Sequence, residues 1–208
     1  MAAARSDIDL VALICSKLCH DLAGSIGAVS NGAELLAEET DAAMREEAIR
    51  LIAQSAGDAA KRLAFFRLAL GASGGMSEPM AMADVSRVTA EYFNGGRVRL
   101  LPLVGLPNSL PKPLAKALML GLAVMAMALP RGGALRLEMQ NGEWRVQAEG
   151  SPSKLPDDVA MSLLGDGAVE EPAGALARHA ADLAATAGYA LGLEAGAEGA
   201  ALRFFAKA

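Results

Sequence analysis

Between Asp7 and Glu39 the apolar residues recur on alternating three- and four-residue steps. They are Ile8, Val11, Cys15, Leu18, Leu22, Val29 and Leu36, with Ser25 and Gly32 at two weak places. The segment contains no proline. This spacing predicts one long helix with a heptad seam. After the polar pair Thr40-Asp41, the period resumes over 42–70 as Ile49, Ile52, Ala56, Ala59, Leu63, Phe66 and Leu70. Two long helices joined by a short turn predict an antiparallel hairpin. One hairpin alone buries little of its apolar stripe. Two copies forming a four-helix bundle would bury it, so the pattern predicts a homodimer through residues 1–70.

The pattern changes at the glycine-rich stretch 71–75, the strongest boundary signal in the chain. It divides a helical hairpin, 1–72, from a mixed α/β unit, 73–208. In the second unit, Ala83 to Phe93 reads as a helix and Val98 to Val104 as a strand. Pro111 to Leu129 reads as a buried helix. Leu135 to Gln140 and Glu143 to Ala148 flank Asn141-Gly142, a hairpin turn signal. Pro172 to Ala187 reads as a helix stopped by Gly188. Tyr189 to Glu194 and Ala201 to Ala206 read as closing strands. The fold class expected is therefore α+β.

Composition narrows the function classes. The chain is 53% hydrophobic but only 4% aromatic, and Ala and Leu favour helices. Its net charge is −5 and it has no basic run, so a nucleic-acid partner is not expected. The first ten residues lack the apolar core of a signal peptide. The apolar stretch Ala117 to Leu129 is too short to span a membrane, which needs about 20 residues. Cys15 and Cys19 are no disulfide framework and read as plain core cysteines of a cytoplasmic protein.

There are two histidines, His20 and His179. With Ile8, Cys15 and Leu22 at heptad position a, His20 falls at f and points away from the seam. Its helical neighbours are Leu13, Ser16, Lys17, Ala23, Gly24 and Gly27, most of them small. A glycine inside a helix costs about 1 kcal/mol relative to alanine. Two of them beside an outward histidine suit close approach by another protein. A neutral imidazole is nucleophilic near neutral pH. A carboxylate holding the proton of one ring nitrogen makes the other more basic, and Asp21 is the nearest candidate. Most exposed histidines are simply polar surface residues, so this reading alone leaves the role open. A metal site on Cys15, Cys19 and His20 is awkward, because Cys15 lies in the seam and His20 points away from it. His179 reads as structural or surface.

The run Ser16-Lys17-Leu18-Cys19-His20-Asp21-Leu22, continuing from Gly27 through Asn31-Gly32-Ala33-Glu34-Leu35-Leu36, resembles the phosphoacceptor helix of the ChpT-type histidine phosphotransferases. It departs at Gly24-Ser25-Ile26, where a proline after the serine would be expected. The resemblance covers the whole chain. It implies a dimeric helical hairpin followed by a degenerate relative of the histidine-kinase ATP-binding α/β sandwich. Where such kinases carry two asparagines on a buried helix, Gly121 and Met125 stand here. Ala148 stands at the adenine-binding aspartate, with Gly150 kept. Ala173-Gly174-Ala175-Leu176 replaces the last glycine-rich box.

The resemblance therefore implies a relay protein that does not phosphorylate itself from ATP. His20 would accept a phosphoryl group from the receiver domain of a hybrid histidine kinase. It would pass the group to response regulators, including a CtrA-like one. Asp21 would assist, and Ser16, Lys17, Gly24 and Gly27 would contact the receiver, with Arg62 or Arg67 as unresolved helpers. The chain itself would bind no cofactor and no metal; Mg2+ would come with the receiver's acidic pocket. Two alternatives stay open: an active ATP-dependent histidine kinase, and a non-catalytic dimeric module that only binds response regulators.

Overall fold

The structure, a computed structural model, describes residues 2–71, 75, 77–166, 168–196 and 199–207. Helix α1, Ala2–Glu38, and helix α2, Ala42–Leu70, form the expected antiparallel hairpin. The turn is built from side chains that satisfy helix ends. Asp41 caps α2 by accepting from the backbone N–H groups of Ala43 and Met44, both at 3.0 Å. Arg45 donates to the carbonyls of Leu36 and Glu39 at the end of α1, at 2.7 and 2.9 Å. Gly32, a weak place in the seam, is buried against α2. A Cβ there would stand 2.7 Å from Ile52 Cγ1, so the glycine lets the helices close.

The remaining elements are β1 (Pro79–Ala81), α3 (Met82–Phe93), β2 (Val98–Leu100), β3 (Ser109–Pro111), α4 (Lys112–Ala126), β4 (Gly133–Gln140), β5 (Glu143–Glu149), α5 (Asp157–Leu164), α6 (Pro172–Thr186), β6 (Tyr189–Gly196) and β7 (Gly199–Ala206). The main sheet has the order β2-β4-β5-β7-β6, and only the β2–β4 pair is parallel. Strands β1 and β3 form a separate two-stranded ribbon. Helix α4 is buried along its whole run from Lys112 to Met125. It packs between the sheet, through Phe204 and Leu202 of β7, and helix α6. The hairpin joins this body where α6 meets α1 and where α3 and α4 meet α2. Phe65 of α2 stacks on Tyr92 of α3 with ring centroids 4.1 Å apart. This is the α+β architecture expected from the sequence.

Local departures have local causes. Strand β2 ends at Leu100 rather than Val104. Leu101 still donates to Leu135 at 2.8 Å, but Pro102 has no N–H to continue the ladder. Helix α5 was not anticipated; its eight residues are too few to show a period. Gly71, where the linker begins, has extended backbone and ends α2; residues 72–74 of the proposed boundary lie outside the described residues. Cys15 and Cys19 are exposed, not core. Ile8, Val11, Ile49 and Leu63 are also exposed, so half of each predicted seam faces outward while Ile52 and Phe66 turn inward.

Helix α1 is also long and apolar enough over Ile8–Glu38 to cross a membrane by length and composition. Polar residues interrupt this stretch, so no single apolar run marks it in the sequence. Its packing against α2 and α6, together with the outward stripe, gives that apolarity an alternative use.

The β4–β5 turn matches its sequence signal. Asn141 and Gly142 both have positive φ, 53° and 82°, as a two-residue hairpin of twisted strands requires. Gly133 is under a stricter constraint. Its φ is 154°, and a Cβ there would run into the carbonyl oxygen of Glu149. Gly133→Ala is expected to destabilise the fold by on the order of 2 kcal/mol, read as a lowered midpoint in urea unfolding.

Candidate functional site

His20 lies mid-way along α1, and its side chain is 85% exposed. The heptad phase thus placed it as the structure does. Its Nδ1 stands 3.3 Å from Asp21 Oδ1. A proton on Nδ1 points at the carboxylate and leaves the lone pair on Nε2, which has no protein partner among the described residues. In that tautomer Nε2 is the open ring nitrogen.

Asp21 is held much more tightly than His20, with its side chain only 12% exposed. Lys17, one turn earlier, donates to the same Oδ1 at 2.5 Å. Arg62 of α2 donates to the Asp21 backbone carbonyl at 2.8 Å. The carboxylate is thus held by Lys17 of its own helix, and the backbone behind it by Arg62 of α2, while the imidazole beside it projects into solvent. The Lys17 ammonium also puts positive charge one helical turn from the imidazole, where an incoming anionic group would benefit.

Ser16 and Gly24 are exposed beside His20, while Lys17 and Gly27 are half-buried. A Cβ on Gly24 or Gly27 would meet nothing within 4 Å, so neither glycine is required by packing inside the chain. Their smallness keeps the rim around the histidine low.

A cleft of about 410 Å³ opens beside this pair, between the hairpin and the second body. Lys17, Asp21 and Arg62 form one wall, and Tyr92, Arg97 and Pro130 belong to the other. Burial pushes the Tyr92 phenol up to about 12; the Asp21 carboxylate adds to this and Arg62 opposes it. The structure thereby separates the two arginines that the sequence left open. Arg62 belongs to this site, and Arg67 lines a different cleft. Tyr92 and Arg97 were missed altogether. They reach the site from a part of the chain some 70 residues away, and no linear pattern announces that contact.

The second histidine, His179 of α6, is half-buried. Burial lowers its pKa, Asp182 opposes this, and Lys116 adds to it. The folded protein therefore binds that proton less tightly than the unfolded chain. Stability is expected to fall as pH drops from the ordinary value of 6.5 toward the lower folded one. His179→Gln should flatten that acid-side decline in thermal melts across pH 5 to 7.

The positions that the resemblance sets against kinase nucleotide boxes are closely packed. Gly121 abuts Phe204 and Leu202; a Cβ would stand 3.1 Å from the Phe204 ring. Met125 and Ala148 are fully buried. Gly174 lies in the first turn of α6, where a Cβ would come 2.7 Å from Ser162 Oγ of α5. Among the described residues no group of three or more His, Cys, Asp or Glu side chains could hold a metal ion.

Comparison with known proteins places the whole chain beside phosphotransferases. The family described as histidine phosphotransferase C-terminal domain matches residues 82–199. Protein phosphotransferase ChpT of Brucella abortus (strain 2308) is 34% identical over 171 residues, covering 80% of this chain and 79% of that protein. A solved structure of a bacterial phosphotransferase superposes with a TM-score of 0.79 at 31% identity, covering 95% of this chain and 96% of that one.

Proposed function

Because this chain belongs to the histidine phosphotransferase family, we propose that His20 is its phosphoryl carrier, working between aspartates of receiver domains. The observation that carries this reading is the pairing of an open Nε2 with an Nδ1 turned to a fixed carboxylate. In the forward step Nε2 attacks the phosphorus of a receiver aspartyl phosphate. The N–P bond forms as the P–O bond to the aspartate breaks, and that aspartate leaves as a carboxylate. The Nδ1 proton stays on the ring, and Asp21 stabilises the charge the ring acquires. The reverse sequence delivers the phosphoryl group to the next receiver. Mg2+ belongs to the receiver's acidic pocket in this scheme. Ser16, Lys17, Gly24 and Gly27 form the docking rim, and Arg62 is the helper on α2. The donor would be a hybrid histidine kinase, and the acceptors response regulators of the CtrA-like kind.

The hairpin, 1–72, is the dimerisation and transfer unit in this reading, and 73–208 is the degenerate nucleotide-binding unit. Autophosphorylation from ATP is not part of the scheme. Gly121, Met125 and Ala148 offer neither metal-binding amides nor an adenine-binding acid, and their side-chain positions are filled by core. A cytoplasmic location without membrane or nucleic-acid contact fits a carrier that must diffuse between receivers.

Two labelling reactions test the proposal. Labelled ATP with Mg2+ should leave the protein unlabelled, whereas a phosphorylated receiver domain should label it within the time course. Self-labelling from ATP would instead establish a kinase. Asp21→Asn should slow labelling from the receiver by about tenfold, since it weakens one charge-assisted hydrogen bond to an exposed ring. An unchanged rate in quenched-flow transfer would remove Asp21 from the mechanism.

A further inference from the structure

A second cleft, of about 650 Å³, lies where the end of α2 meets α3 and α4. Its lining brings together Arg67 of α2, Arg87 and Asp84 of α3, and Lys112 and Lys116 of α4. The two lysines are 8% and 3% exposed, an unusual depth for ammonium groups. They stand four residues apart on one helix face, in the first turns of α4. Like charges at that spacing repel, and the start of a helix disfavours cations further.

Part of this arrangement has a structural use. Lys116 donates to the Gly71 carbonyl and Lys112 to the Gly75 carbonyl, so both hold the chain as it leaves α2. Carbonyl oxygens satisfy hydrogen bonds but carry no net charge. Burial, and then the neighbouring Lys112, lower the pKa of Lys116. Clamping the chain also gives no reason for Arg67 and Arg87 to line the same space. Among the described residues Asp84 is the one carboxylate in the lining, and it pairs with Arg87 at 3.2 Å. Arg87 also reaches Glu91, at 3.7 Å. Arg87 thus has carboxylate partners on its own helix, whereas Lys116 and the exposed Arg67 face the same space with no carboxylate paired with them among the described residues.

We propose that this cleft binds a phosphate-bearing anion of at least two negative charges, gripped by Arg67, Lys116 and Arg87. Such an anion would meet the charge of Lys116 and Arg67 and tie the hairpin to the second body across one site. The proposal stands apart from phosphotransfer at His20 and does not depend on it.

Isothermal titration of the full chain with inorganic pyrophosphate, at low ionic strength, tests it. One saturable site per chain is expected. Arg67→Gln, an exposed position, should weaken binding at least tenfold, and Lys116→Met should abolish it. Arg50→Gln, on the same helix but outside the cleft, should change affinity less than twofold. If Lys116→Met does not fold, as judged by circular dichroism, the comparison of Arg67→Gln with Arg50→Gln decides. No saturable binding at millimolar pyrophosphate would overturn the proposal. So would equal affinity for wild type and Arg67→Gln.

Discussion

His20→Gln is expected to reduce phosphoryl transfer from a phosphorylated receiver domain to background. Glutamine keeps the size and polarity of the side chain and removes only the nucleophilic nitrogen. The position is 85% exposed, so the fold should tolerate the change with less than about 0.5 kcal/mol of lost stability. His179, the other histidine, sits half-buried on α6 and lines neither the cleft beside Asp21 nor its rim. Loss of transfer with an unchanged urea midpoint would assign the chemistry to the imidazole. Retained transfer would mean that the phosphoryl group travels by another residue, and the non-catalytic binding reading would gain ground. The result also separates two roles of the rim. A His20→Gln protein should still bind the receiver, because Ser16, Lys17, Gly24 and Gly27 are untouched. Equal receiver affinity beside abolished transfer is the combination the geometry calls for.

Much of this was legible along the chain, and the failures are informative. Period alone located both helices of the hairpin, because a stripe sustained over four or more turns cannot be mistaken for a strand. It also sent His20 outward. The Asn141-Gly142 turn was legible because a type I′ turn demands positive φ at two consecutive residues, and few pairs supply it. What the period could not do was divide the stripe. Ile49 and Ile52 both belong to the predicted seam of α2, yet Ile52 packs on Gly32 and Ile49 faces solvent. A heptad pattern records that two adjacent faces are apolar and not which neighbour covers each. The site was half legible for the same reason. His20, Lys17 and Asp21 are neighbours on one helix and follow from its geometry. Tyr92 and Arg97 come from the loop and helix of another layer, and their approach is decided by the docking of α3 on Phe65.

The outward half of the stripe leads to the second large effect. Ile8 is 69% exposed, Ile49 53% and Leu63 57%, and the last two lie fourteen residues apart on one face of α2. A second copy of the hairpin, with the same stripe, is the occupant we propose for that face. The double variant Ile49→Glu, Leu63→Glu should therefore break the dimer. Complete burial of such a side chain contributes about 1.5–3 kcal/mol. Each is already half-covered, and four of them meet in a two-fold assembly. The loss of burial alone then comes to about 3–6 kcal/mol per dimer, or roughly a hundredfold to ten-thousandfold in the dissociation constant. The buried carboxylates add to that loss. Light scattering at micromolar concentration should show a dimer for the wild type and a monomer for the variant. A monomeric wild type would refute the dimer outright. Because His20 projects from the opposite face of α1, a monomeric variant that keeps its helical circular dichroism should still accept label from a receiver. If transfer is lost along with the dimer, residues of both protomers must complete the docking rim.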